Sequence, residues 1–166
     1  MKFTWHFFLV ALTLCLVMAS SSNATANETE IAPTGTSTLH AKMGGKSLEI
    51  TFRTVQVKNS DPLFPVEPDY AKEVSVIQRM TINIGGQSLF VPRSAFADLF
   101  NPRKASIALD KGAFVLSIVG ADGADLYLVR VYFNAARIYR RMVYGAFDSK
   151  NAAEDTRYRK GEVLDN

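Results

Sequence analysis

Cysteine and histidine are nearly missing from this chain, and their scarcity excludes more chemistry than any other feature. There is one cysteine, Cys15, and there are two histidines, His6 and His40. Cys15 and His6 fall in an N-terminal stretch that reads as removable, which leaves His40 alone in the mature chain. Without cysteine there is no disulfide and no thiol nucleophile, so stability has to come from packing. Zinc needs clustered nitrogen and sulfur ligands, and a Ser-His-Asp triad needs a rigidly held histidine. His40 lies among Ser, Thr and Gly in a stretch that reads as flexible, so neither arrangement is expected.

Other absences narrow the field further. No Gly-rich loop leads from a strand into a helix, so there is no nucleotide fingerprint and no cofactor is expected. Basic residues number 19 against 16 acidic ones, interspersed along the chain, for a formal charge of +3. That balance does not predict a nucleic-acid partner. Paired carboxylates can do acid–base work without histidine. The nearest pair, Asp122 and Asp125 in GADGAD, falls in a turn and lacks the further oxygen ligands that calcium needs. No catalytic, cofactor or metal residues are assigned.

The longest apolar run, Phe7–Met18 (FFLVALTLCLVM), is too short to span a bilayer comfortably. It follows a single early positive charge, Lys2, and precedes Ala24-Thr25-Ala26, an A-x-A cleavage pattern. Residues 1–26 therefore read as a secretory signal peptide, with a periplasmic or secreted address and a Gram-negative bacterial host as the default. A lipoprotein signal would acylate Cys15 and anchor the chain to a membrane. Leu14 before it is not small and apolar residues follow it, both against that alternative. Asn27-Glu28-Thr29 fits a glycosylation sequon, relevant only in a eukaryotic host.

What the chain does have is alternating apolar residues around tight turns. From Gly112 to Tyr144 it reads as three antiparallel strands. With Lys111-Gly112 as a two-residue loop, Leu109 pairs with Phe114, Ile107 with Leu116 and Ala105 with Ile118. With Asp122-Gly123 as a type I′ loop, Phe114, Leu116 and Ile118 face Val131, Val129 and Tyr127. With Gly85-Gly86 as the loop, Ile84, Ile82 and Met80 oppose Gln87, Leu89 and Val91. Each turn puts its apolar residues on one face, as a core-facing register requires. The expected fold is mainly β, an antiparallel β-meander of about six to seven strands forming a sheet or partly open barrel.

Around the meander, residues 27–46 read as a flexible leader and residues 47–166 as a single β-rich domain. Ser47–Val57 alternates Leu48, Ile50 and Phe52 against polar residues, a half-buried strand. Asp61–Tyr70 has three prolines and reads as a loop. Pro92–Phe100 places Phe96, Leu99 and Phe100 at helical spacing, so one short helix is expected near 93–100, capping the core. Asp155–Leu164 reads as an edge strand with a solvated charged face.

One site follows from the strand Asp125–Phe133. Its second face, Leu126, Leu128, Arg130 and Tyr132, is apolar apart from Arg130. A three-residue loop around Asn134-Ala135-Ala136 puts Arg130 opposite Arg140, and a four-residue loop puts it opposite Arg141. Two guanidinium groups facing each other across a ladder call for an anion between them. Glu154 or Asp155 in the returning tail can supply it internally. Otherwise an acidic group of a partner does, with Tyr132 and Tyr139 as flanking contacts. The expected function is a small exported binding, inhibitor-type or immunity-like protein, not an enzyme, whose β scaffold presents a patch to a protein or an acidic envelope ligand. A carboxylate-type hydrolase of envelope polymers and a structural part of an envelope assembly are the alternatives.

Overall fold

The structure is a computed structural model that describes residues 27–58, 73–121, 123, 126–145, 148 and 150–159. Residues 1–26, read as a signal peptide, residues 61–70, expected as a loop, Asp122, Asp125 and residues 160–164 of the expected edge strand lie outside these described residues. None of the described helices is long and apolar enough to cross a membrane.

Strand formation starts earlier than the composition suggests. Residues 27–46, expected as a leader, form β1 (Asn27–Glu30) and β2 (Gly35–Met43). Leu39 and Met43 are buried at spacing four, with Ala41 half-buried between them, so alternation prevails over the Ser/Thr/Gly content. Gly44 and Gly45, at φ 55° and 74°, make a tight turn that pairs Met43 with Lys46 and opens β3 (Lys46–Lys58). Positive φ at both positions is the demand of a type I′ hairpin, which glycine meets without strain.

The chain continues through β4 (Glu73–Ile84), β5 (Gln87–Leu89), β6 (Pro102–Asp110), β7 (Ala113–Gly120), β8 (Tyr127–Phe133), β9 (Ile138–Gly145) and β10 (Glu154–Arg157). Two antiparallel sheets result, one ordered β1-β6-β7-β8-β9-β10 and one ordered β2-β3-β4-β5. This is a mainly β meander fold, open rather than closed into a barrel, with ten strands among the described residues instead of six or seven. The inner faces share one core. Leu48, Ile50, Phe52 and Ile82 from the four-stranded sheet meet Ile107, Leu116, Ile118, Val129, Val131 and Phe133 from the six-stranded sheet.

The Lys111-Gly112 register is as expected, with Leu109 opposite Phe114 and Ile107 opposite Leu116. Leu109 nevertheless stays 41% exposed, because it lies at the end of the sandwich rather than within it. The Gly85-Gly86 turn also pairs as expected, but β5 stops at Leu89, before Val91. The β7–β8 register differs by two residues, with Phe114 opposite Phe133 and Ile118 opposite Val129. The faces are kept and the apolar partners change. Gly120 now pairs with Tyr127, whose ring occupies the space a side chain at Gly120 would fill. The Tyr127 hydroxyl donates to the Phe100 carbonyl at 2.9 Å.

The expected helix at 93–100 is a single 3-10 turn, Arg93–Ala95, followed by further turns. Phe96 and Leu99 are still buried in the main core, so the aromatic stripe caps the sandwich without forming a helix. Phe100 makes an isolated bridge to Val76, which requires extended backbone and ends any helical continuation. The two sheets are stitched at this end by polar contacts. Asn101 bonds Ser75 through both backbone and side chain, and the Ser75 hydroxyl donates to the Pro33 carbonyl at 2.6 Å.

Candidate anion-binding site

The arginines expected to converge do not face one another. The β8–β9 loop does have four residues, closed by the Asn134 side chain, which accepts from the backbone of Ala136 and Arg137 at 2.8 and 3.0 Å. Phe133 then pairs with Ile138 and Tyr132 with Arg140, so Tyr139 is a bulge that adds one residue to the register. Arg130 is consequently opposite Met142, and Arg141 is opposite Val131. The bulge is the physical reason for the correction. An extra residue on one strand slides every later pair by one.

Four of these five side chains, those of Arg130, Arg140, Arg141 and Tyr132, are engaged within the chain. Arg140 and Asp155 form a bidentate pair at 2.7 and 2.8 Å, and Arg140 lies over the Tyr132 ring. The bond to Arg140 holds the Asp155 carboxyl below its ordinary range. Arg141, on the inner face with 2% of its side chain exposed, binds Asp98 at 2.5 Å and Glu154 at 2.7 Å. Burial works against its charge, yet the two carboxylates outweigh that and its pKa is raised. The Thr156 hydroxyl, and after it Arg141, keeps Glu154 below the usual carboxylate range. A carboxylate held ionised in this way is unsuited to acting as a proton donor. Arg130 stacks 5.0 Å from the centre of the Tyr144 ring. Tyr139 is half-buried, and its carbonyl accepts from the Tyr158 amide. Of the site expected at Arg130, Arg140, Arg141, Tyr132 and Tyr139, the first four thus belong to internal ion pairs and cation–π contacts, while Tyr139 adds a backbone bond.

A facing arginine pair does exist, on the other sheet. Arg53 of β3 and Arg79 of β4 are direct cross-strand partners, and both are exposed. Their neighbours Phe52 and Met80 point into the core, so the two guanidinium groups share the outer face. Opposed Cβ atoms in a ladder lie about 4.5–5.5 Å apart. Neither arginine has an ion-pair partner among the described residues. The register shifts just beyond them, from Arg53–Arg79 to Thr54–Ile77, which leaves Gln78 as a bulge, exposed beside Arg79. Bulges of this kind re-aim side chains and recur beside functional sites.

The rest of this face is polar and ordered in rows. Thr36 faces Arg53 on the far side from Arg79. Next come Thr38, Thr51 and Thr81, with the first two hydroxyls 3.4 Å apart. Beyond them stand His40, Glu49, Asn83 and Ser88, one from each strand. Glu49 accepts from Asn83 at 3.2 Å and lies 3.9 Å from His40. His40 is therefore fixed on a strand rather than carried on a leader. The row nearest the bulge is the chemically distinctive one, with two forked donors, hydroxyls beside them and, among the described residues, no neutralising carboxylate.

Fold and site together define a two-sheet antiparallel β-sandwich with a cationic outer face. No family model matches this sequence, and no curated protein or solved structure is significantly similar to it.

Proposed function

We propose that this chain is a small exported, non-enzymatic binding module that holds an acidic ligand on the outer face of its four-stranded sheet. The carrying observation is the facing pair Arg53 and Arg79, exposed and without a carboxylate partner among the described residues. Two like charges about 6 Å apart in water repel by only about 0.7 kcal/mol, so the sheet tolerates them when empty. An oxyanion between them turns that repulsion into two charge-assisted hydrogen-bond pairs. The export signal read at residues 1–26 places such a ligand in the cell envelope or outside the cell.

Pyrophosphate titrated at constant ionic strength tests this by its effect on thermal unfolding. A ligand at a hundredfold its Kd stabilises the native state by about 2.7 kcal/mol, which is several degrees in Tm for a domain of this size. The expected result is a rise in Tm for the parent and none for Arg53→Ala/Arg79→Ala. Equal shifts in both proteins, or none in the parent, would overturn the assignment.

A further inference from the structure

Phe90 is the most exposed large apolar side chain of the described residues, at 81%, against 41% for Leu109 and 39% for Leu126. It follows Leu89, the last residue of β5, which pairs with Ile82. One rung further the ladder would set Phe90 opposite Thr81, two residues along β4 from Arg79. Leu89 is buried, so Phe90 has the parity of the outer face. Continued along that parity, the exposed phenyl belongs to the same face as the arginine pair, which has no carboxylate partner among the described residues. Basic Arg93 follows it after Pro92, and Lys42 lies at the end of β2, both exposed. The carboxylate in the adjoining row, Glu49, is engaged by Asn83 and His40.

We infer that this face docks onto an anionic phospholipid surface, with Arg53 and Arg79 holding headgroup phosphates and Phe90 entering the interface between headgroups and acyl chains. The inference rests on the proposed oxyanion site and names its ligand. Charge complementarity selects the occupant. The face offers one pair of cations beside a single apolar anchor, the combination by which peripheral proteins hold to acidic membranes. Phosphodiesters repeat across a bilayer surface in the plane that a sheet face presents. An exposed phenyl has no role in holding a dissolved oxyanion, whereas at a membrane it leaves water.

Hydrogen–deuterium exchange of the full chain, with and without vesicles, tests this at the face itself, whatever residues 1–26 do at a membrane. Vesicles containing phosphatidylglycerol should slow exchange over residues 87–93 and around Arg79, and phosphatidylcholine vesicles should not. Each basic residue near an anionic surface contributes to affinity, so Arg53→Ala/Arg79→Ala should raise the lipid concentration for half-maximal protection about thirtyfold. Phe90→Ala should raise it as well, while leaving the pyrophosphate effect on Tm intact. Protection that is absent, or unchanged in these variants, overturns membrane docking. If pyrophosphate still stabilises the parent through the arginines in that case, the oxyanion site stands with a soluble ligand. If neither vesicles nor pyrophosphate respond to the arginine substitutions, both assignments fall.

Discussion

Arg141 keeps its charge inside the core because Asp98 and Glu154 reach it from the partly exposed side. Two elements distant in sequence, the turn segment after β5 and the last strand, are fastened through one guanidinium. Removing one partner of a fully buried pair costs about 3–5 kcal/mol. Here the carboxylates are 56% and 45% exposed and can rehydrate, so Arg141→Ala should cost about 2–3 kcal/mol in urea unfolding. The acid limb of stability carries the same signature. Glu154 and Asp155 sit below their ordinary values of 4.5 and 3.8, and a group depressed in the folded state stabilises it above the unfolded pKa. Stability from these pairs should therefore be complete above about pH 5 and lost as pH falls through the folded values. Glu154→Gln should flatten that acid limb by lowering stability in the neutral range, while leaving it little changed below the folded value, where Glu154 is already protonated. Glu154 and Asp155 were legible as internal partners from their place in the returning tail. The Arg53–Arg79 pair was not, because no short turn joins β3 to β4 to set their register and the Gln78 bulge then shifts it.

At the scale of elements, Gly120 decides how β8 lies against β7. A Cβ there would fall 2.2 Å from the Tyr127 hydroxyl and 2.8 Å from the Asn101 carbonyl. Gly120→Ala must displace the tyrosine, and forced overpacking of this kind costs about 1–3 kcal/mol. Tyr127→Phe at the same place loses only the bond to Phe100, about 1 kcal/mol. Urea midpoints of the two variants should rank in that order. The same glycine explains what the sequence could and could not disclose. Alternation around Lys111-Gly112 and Gly85-Gly86 sets the pairing, because loop length and apolar face agree there. Around Asp122-Gly123 two registers put the same residues on the core face, and only the close approach of Tyr127 to Gly120 separates them. Residues 35–43 were legible in principle. Leu39, Ala41 and Met43 alternate ahead of Gly44-Gly45, but Ser, Thr and Gly content carries no information about which side chains find a core. At 93–100 the spacing of Phe96 and Leu99 announced burial correctly. So short a segment does not repay helix nucleation while Phe100 is held extended against Val76.

For the whole molecule, the sandwich consists of two meanders, β2–β5 and β6–β10, each built from neighbours in sequence. Among the described strands only β1 breaks this rule, crossing from ahead of β2 to pair with β6, Asn27 opposite Ile107 and Glu30 opposite Lys104. Its return path is anchored inside the other sheet, where the Thr54 hydroxyl donates to Ala32 and the Ser75 hydroxyl to Pro33. The two halves of the fold are thus joined by a clasp over residues 27–34 as well as by the core.

That clasp also covers a strand edge able to pair with a second copy of the chain. β6 is nine residues long, from Pro102 to Asp110, and β1 shields its outer hydrogen-bonding groups over Lys104–Ile107. Strip β1 away and those groups become a template for a second copy, since an open strand edge recruits any strand that can complete it. A chain beginning at Thr34 should keep the core of both meanders. In sedimentation velocity it should nonetheless self-associate more strongly than the parent as concentration rises. Substituting lysine for Ser106, on the solvent face of the bared edge, should return it to a monomer. Four paired residues, Asn27–Glu30, are then what stands between the β6 edge and a second copy of the chain.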